Sequence, residues 1–315
     1  MRWTSRVRNI FLLPAVIWVL AFTVFPLGYS LFTAVHKVES RTEVERIKVP
    51  RLNKDGTPSL RADGTPRMKT EVRRETVTTW TFVGLDNFAR LFSDKQVGEA
   101  IRMTAIFVAA AVGTEIVLGL FLAFLFNRHL MARGFLRAVM ILPIFATPVA
   151  AGYLFFTILY EEGGPLGWTG IPFLSDPSWA LFSVILVDIW QWTPFCFLVF
   201  LAALQSVPDD QIEAARLDTQ SHWTIWREVV LPALMPVIVI VFLLRLAEAV
   251  KVFDVVASLT VGGPGNATQS LSYLAFRTGL RFFDLGYASA IAYTLLAFVM
   301  VIVTLLFKRI RSVYG

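Results

Sequence analysis

Leu285–Phe307 reads LGYASAIAYTLLAFVMVIVTLLF, 23 residues without an Asp, Glu, Lys or Arg, and Lys308, Arg309 and Arg311 follow at once. A helix of about 20 predominantly apolar residues crosses the roughly 30 Å hydrocarbon core of a bilayer, so this stretch is long enough to span. Working outward from it, five further apolar stretches precede it. Asn9–His36 is uncharged and follows Arg2, Arg6 and Arg8. Val97–Phe126 is interrupted by Arg102 and Glu115 after Glu99 near its start, Ala138–Tyr160 carries no charge, and Ser178–Leu204 carries only Asp188. The fifth starts near Val229 and runs 16 uncharged residues to Arg245. The pattern predicts an all-α polytopic membrane protein with six transmembrane helices.

Composition supports this. The 315 residues are 56% hydrophobic and 17% charged, against about 25% charged in soluble domains. Residues 37–95 hold 22 of the 52 charges, so the remainder is poorer still. A soluble two-domain protein is excluded, and one polar excursion remains. The first run is too long for a signal peptide and contains Pro14 and Pro26, which favours a retained first span. Cys196 is the single cysteine, so no intramolecular disulfide forms. His36, His129 and His222 lack zinc-ligand spacing.

Short polar segments set the orientation. The two tails and the loops after the second and fourth spans hold 11 Lys/Arg, whereas 161–177 holds none. Lys/Arg bias puts the former side, with both termini, in the cytoplasm. Loop 37–95 is then external, because long loops translocate largely regardless of charge. Within it Asp55-Gly56-Thr57-Pro58 recurs as Asp63-Gly64-Thr65-Pro66, flanked by Thr42–Val49 and Met68–Phe82, rich in Thr, Val and Ile. Two readings stand: a β-hairpin outside the membrane, from the turn chemistry, or a charged linker.

Between the fourth and fifth spans, Gln205–Pro232 reads as a helix–turn–helix. Ser206-Val207-Pro208-Asp209 fits a capping box, Glu213-Ala214-Ala215-Arg216-Leu217 continues in helix formers, and Asp218-Thr219-Gln220-Ser221 breaks the pattern and caps a second helix. Asp209, Asp210, Glu213 and Asp218 suit a protein partner better than an anionic leaflet.

These residues resemble the permease subunits of bacterial binding-protein-dependent ABC importers. The family's cytoplasmic signature is an E-A-A triplet, a glycine after three further residues, and nine more leading to I-x-L-P. Here Glu213-Ala214-Ala215, Thr219 in the glycine position and Val229-Val230-Leu231-Pro232 keep that spacing. The threonine implies a changed turn, or strain if positive φ is needed. Phe82-Val83-Gly84-Leu85-Asp86-Asn87-Phe88, Gly134-Phe135-Leu136-Arg137, Trp192-Thr193-Pro194-Phe195, Gly262–Thr268 and Phe282–Ala288 look like the carbohydrate (maltose and glycerol-phosphate) class, first permease subunit. About residues 37–79 fall outside the resemblance and look like an insertion.

The resemblance implies an inner-membrane chain in three parts: 1–36 with the first helix, 37–96 as a periplasmic loop, and 97–315 as a five-helix core with a coupling loop at 205–228. It implies that Glu213, Ala214, Ala215 and Asp218, with Leu231 and Pro232 closing the motif, serve ATPase coupling. The implied partners are a second permease subunit, two ATPase subunits carrying ATP and Mg, and a periplasmic solute-binding protein delivering a sugar-like substrate. No cofactor, metal or catalytic residue is expected on this chain, and no nucleic-acid partner. Gly262–Thr268 lacks the G-x-x-x-x-G-K-[ST] phosphate-loop pattern and reads as a turn before the sixth span.

Charges at membrane depth cost roughly 2.5–3.5 kcal/mol each on insertion scales and are functional candidates. Asp188, with Gln191 and Trp192 a turn away, offers a carboxylate, an amide and an indole face to a sugar; Asp188 equally suits a polar partner on another helix. Arg245 and Glu248, at i and i+3, form either an intrahelical pair or solute contacts. Lys251 and Asp254 repeat that spacing and read as a structural pair, and Glu115 and Arg102 as packing residues. A competing class is a stand-alone secondary transporter or channel, whose mark would be an inverted repeat. An intramembrane enzyme would want His or nucleophile clusters in the spans.

Overall fold

The computed structural model describes residues 5–51, 58, 61, 66, 68–128 and 132–314. Apart from Pro58 and Pro66, the repeated D-G-T-P stretches lie outside the described residues, as does His129. Helices α1 (Ser5–Val19) and α2 (Phe25–Ala34) join through a π turn at Leu20–Val24. The ribbon β1 (His36–Pro50) and β2 (Met68–Phe82) follows, then α3 (Asp86–Ser93) and α4 (Lys95–Phe126). Next come α5 (Arg133–Ile141), α6 (Pro148–Leu159), α7 (Pro177–Gln205), α8 (Asp209–Asp218), α9 (His222–Ile225) and α10 (Leu231–Ala249). The chain closes with α11 (Leu271–Phe276) and α12 (Leu285–Tyr314). Among the described residues, five helical stretches are long and apolar enough to cross a membrane, and six if one bent pair counts as a span.

That pair is the predicted third span. Gly134–Phe145 and Pro148–Leu159 meet at 101°, so Ala138–Tyr160 is not one straight helix. Leu142–Phe145 tightens into a 3₁₀ turn, Thr147 Oγ1 caps the next helix by accepting from Ala150 N–H at 3.3 Å, and Pro148 begins it without a donor. A proline in the first turn suits a helix start and cannot continue the previous ladder.

Helix α4 is the central post. Val97 and Ala100 pack with Leu274, Tyr287 and Ile291 near its start. Phe107 and Ala111 pack with Val184, Val187 and Leu259 at mid-length, and Ala123 and Phe126 with Phe197, Phe200 and Leu234 near its end. Close approach of α4 to α7 requires Gly119: a Cβ there would stand 2.5 Å from Cys196 Cβ. Cys196 is fully buried. The first span stands apart, with Phe11–Tyr29 exposed throughout. It is tied on where Tyr293 Oη donates to Leu27 O and Asn87 Nδ2 donates to Ala34 O at 2.9 Å.

The described strands of the insertion pair antiparallel from His36↔Phe82 to Pro50↔Met68. An isolated two-stranded ribbon is marginal in water; the base of this one is fixed by Trp80, whose ring lies 5.7 Å from Phe32 and 6.3 Å from Tyr29.

The 205–232 segment differs from its sequence reading in three ways. Ser206 closes α7, its Oγ donating to Ala203 O at 2.8 Å, and α8 follows Pro208 without a side-chain cap. Ser221 does cap α9, accepting from Thr224 N–H at 3.3 Å, but α9 is not separate. His222–Ala249 is one helical stretch, with a π turn at Trp226–Val230. The Leu231 N–H reaches Trp226 O across that turn, which absorbs the donor missing at Pro232. Thr219 is extended, at φ −151° and ψ 141°, so the non-glycine carries no strain. The Gly262–Thr268 loop leads not into the last span but into the helical stretch Leu271–Arg281 before it.

Candidate functional site

Three spans each bring one charge to a common point. Glu115 on α4, Asp188 on α7 and Arg245 on α10 are 0%, 5% and 2% exposed. The Arg245 guanidinium grips Glu115 as a fork, Nε to Oε2 at 2.6 Å and Nη2 to Oε1 at 2.9 Å, and Nη2 also donates to Asp188 Oδ2 at 2.8 Å. Charge-assisted bonds of this kind are the strong ones, and planar guanidinium suits two carboxylates at once. The Trp192 ring covers the cation, 4.4 Å from Cζ to the centroid, a cation–π contact.

An open cavity of about 150 Å³ lies against this triad, with Asp188, Trp192, Arg245, Glu248, Lys251 and Asp254 among its lining residues. Its position follows from chain breaks. Helix α6 starts at Pro148, on the cavity wall, and α10 stops at Ala249, so Lys251–Phe253 supply irregular backbone to the rim. Non-helical backbone at membrane depth is tolerated where it lines such a cavity. At the rim Lys251 Nζ donates to Glu248 Oε1 at 3.0 Å, both exposed.

The pairing is therefore not the one the i, i+3 spacings suggested. Arg245 turns inward to two other helices and leaves Glu248 to Lys251, which in turn does not pair with Asp254. A buried cation without partners costs far more than an exposed one, and carboxylates on facing helices reach Arg245 where Glu248 lies exposed. Glu115, read as a packing residue, is Arg245's principal partner. Gln191 Nε2 donates to Ala146 O at 2.7 Å, linking α7 to the bend between α5 and α6. Among the described residues, no group of three His, Cys, Asp or Glu could hold a metal.

The second candidate site, on α8, is built differently. Glu213, Ala214, Leu217 and Asp218 are exposed, Ala215 is half-buried, and Leu217 is 89% exposed, an apolar side chain amid carboxylates. Leu217 is the residue the sequence reading passed over there; its signal was a leucine on the acidic face. Leu231 is half-buried and Pro232 exposed within the continuing helix.

Helices with interrupted spans, a charged cavity among them and a helical loop between two of them make up a membrane permease. Residues 115–312 match the family described as the binding-protein-dependent transport system inner membrane component, and the chain belongs to that family: it is an inner-membrane permease of the ABC importer class. A probable ABC transporter permease of Sinorhizobium fredii is 38% identical over 229 residues, 70% of this chain and 74% of the relative. A trehalose/maltose transport system permease of Thermococcus litoralis is 35% identical over 230 residues, 70% and 76% of the two chains. In fold, the chain is similar to one from a bacterial ABC transporter involved in the import of the acidic polysaccharide alginate. That likeness has a TM-score of 0.76 at 22% identity and covers 99% and 97% of the two chains.

Proposed function

We propose that this permease is one half of a heterodimeric pathway importing a sugar, polyol or related glycoside delivered by a periplasmic binding protein. Two partner ATPase subunits would bind Mg and ATP and hydrolyse it. The carrying observation is the cavity beside Asp188 and Trp192. Asp188 accepts hydrogen bonds from hydroxyls, and the indole offers an apolar face to a sugar ring. Arg245, held by Glu115, fixes both groups in place, so Arg245 and Glu115 act by positioning. Glu248 and Lys251 stand at the mouth, and Gln191 shapes the wall through Ala146. The names of relatives such as the trehalose/maltose permease support a carbohydrate solute.

In this reading both termini and loop 205–228 are cytoplasmic. The outward face of α8, with Glu213, Ala214, Leu217 and Asp218, docks on an ATPase, while Ala215, Leu231 and Pro232 shape the loop behind it. Residues 1–36 carry the first span. Residues 37–96 form a periplasmic loop whose ribbon meets the binding protein, and 97–315 form the core, the bent 134–159 pair counting as one of six spans. The test is uptake by proteoliposomes holding the assembled transporter, binding protein and internal ATP. Sugar uptake that needs ATP and falls at least tenfold in Trp192→Ala supports the reading. Uptake without ATP would leave a stand-alone transporter.

A further inference from the structure

Two openings share a wall at the end of α4. One, of about 470 Å³, is lined by Arg128, Arg216 and His222 with Phe124, Ile212 and Trp226. The other, of about 510 Å³, is apolar and runs beside Val117, Leu120 and Phe121 to Trp223, again touching Phe124, His222 and Trp226. None of the described residues lining either opening is acidic. Ile212 and Arg216, one turn apart on α8, point into the first, whereas Asp210, Leu217 and Asp218 fall on the opposite face of that helix. The mouth between the openings is framed by Trp223 and Trp226, stacked with centroids 5.2 Å apart and planes 17° from parallel. Arg128 lies over Phe124, 5.0 Å from the ring centroid.

We propose that the paired openings hold one anionic glycerophospholipid, its phosphate between Arg128, Arg216 and His222 and an acyl chain along Val117, Leu120 and Phe121. Two arguments commit the site to a lipid. The apolar groove lies on the last turns of a membrane-spanning helix, where acyl chains are the surrounding medium. The basic pocket begins where that helix ends, at the depth of headgroups, and tryptophans mark the same boundary. A soluble anion would use the cations and leave the groove without a role. The lipid would link the end of α4 to the inner face of α8, tying the loop's position to the surrounding membrane. The site is built from α4 and the loop alone, so it stands whether or not α8 docks an ATPase.

The test is native mass spectrometry of the purified full-length chain, offered dioleoyl phosphatidylglycerol or dioleoyl phosphatidylcholine in micelles. The expected result is selective retention of phosphatidylglycerol, lowered about fivefold by Arg128→Gln or Arg216→Gln and about thirtyfold by both, from the usual contribution of a basic residue near an anionic headgroup. Arg227→Gln, exposed and outside both openings, leaves retention unchanged. Leu120→Ser weakens it with every cation in place. Equal retention of the two lipids, an undiminished double variant or an equal loss in Arg227→Gln would overturn the proposal. So would displacement by soluble glycerol 3-phosphate, which would make the pocket a site for a free phosphate.

Discussion

Arg245→Met removes the one cation that Glu115 and Asp188 share. Three hydrogen bonds at 2.6–2.9 Å disappear, and two carboxylates that are 0% and 5% exposed face each other without compensation. Removing one partner of a buried ion cluster costs about 3–5 kcal/mol. Methionine fills much of the arginine stem, so the loss is electrostatic more than a cavity. At about 2–4 °C per kcal/mol, the usual slope for larger domains, the midpoint of thermal unfolding in detergent falls by about 6–20 °C. The triple variant Glu115→Gln, Asp188→Asn, Arg245→Met removes all three charges at similar volume, and neutral replacement of a buried cluster is often tolerated. It regains most of the lost stability while transport stays impaired, because Asp188 is gone. An Arg245→Met single variant with an unchanged midpoint would refute the triad as a structural unit. A triple variant no more stable than the single one would show that charge is not the cause.

Gly119→Ala puts a methyl 2.5 Å from Cys196 Cβ; overpacking of this order costs about 1–3 kcal/mol, read as a lower unfolding midpoint that Gly113→Ala, facing open space, does not share. Glu161 straps the loop after α6, accepting from the Leu174 and Ser175 N–H groups at 2.8 Å. Burial opposes its charge, but those donors outweigh it and hold the carboxyl below the ordinary range. Its contribution is therefore present above the unfolded value of about 4.3 and is lost as pH falls through the lower folded one. Amide exchange at Leu174 and Ser175 should accelerate relative to the rest of the loop in that acid window, and Glu161→Gln should show fast exchange already at neutral pH; flat protection in both would remove the strap. Deleting 41–79 should leave the helical core intact and weaken stimulation by the binding protein, with unchanged uptake kinetics reducing the ribbon to decoration.

The membrane fold was legible because apolar run length is a local property: the predicted second, fourth and sixth spans match α4, α7 and α12 within two residues at their starts. The bend in the third escaped the reading because continuous hydrophobicity hides a break, although Leu142-Pro143 and Thr147-Pro148 carried its signal. The capping box failed because Ser206 serves the helix it ends, a choice the four-residue pattern does not encode. In the site, Asp188, Trp192 and Arg245 were legible one by one as costly groups at depth. Their union was not, since spacing within a chain offers Arg245 only Glu248, while the partners that solvate it are 57 and 130 residues away.

Whether this permease works in an ATP-driven assembly through α8 is decided by purifying the tagged chain from its native membrane in mild detergent and identifying what comes with it by mass. An ATPase and a second permease should accompany the wild type, and Glu213→Lys should lose the ATPase and keep the permease. Recovery of the chain alone, or an ATPase held equally well by Glu213→Lys, would contradict that assembly.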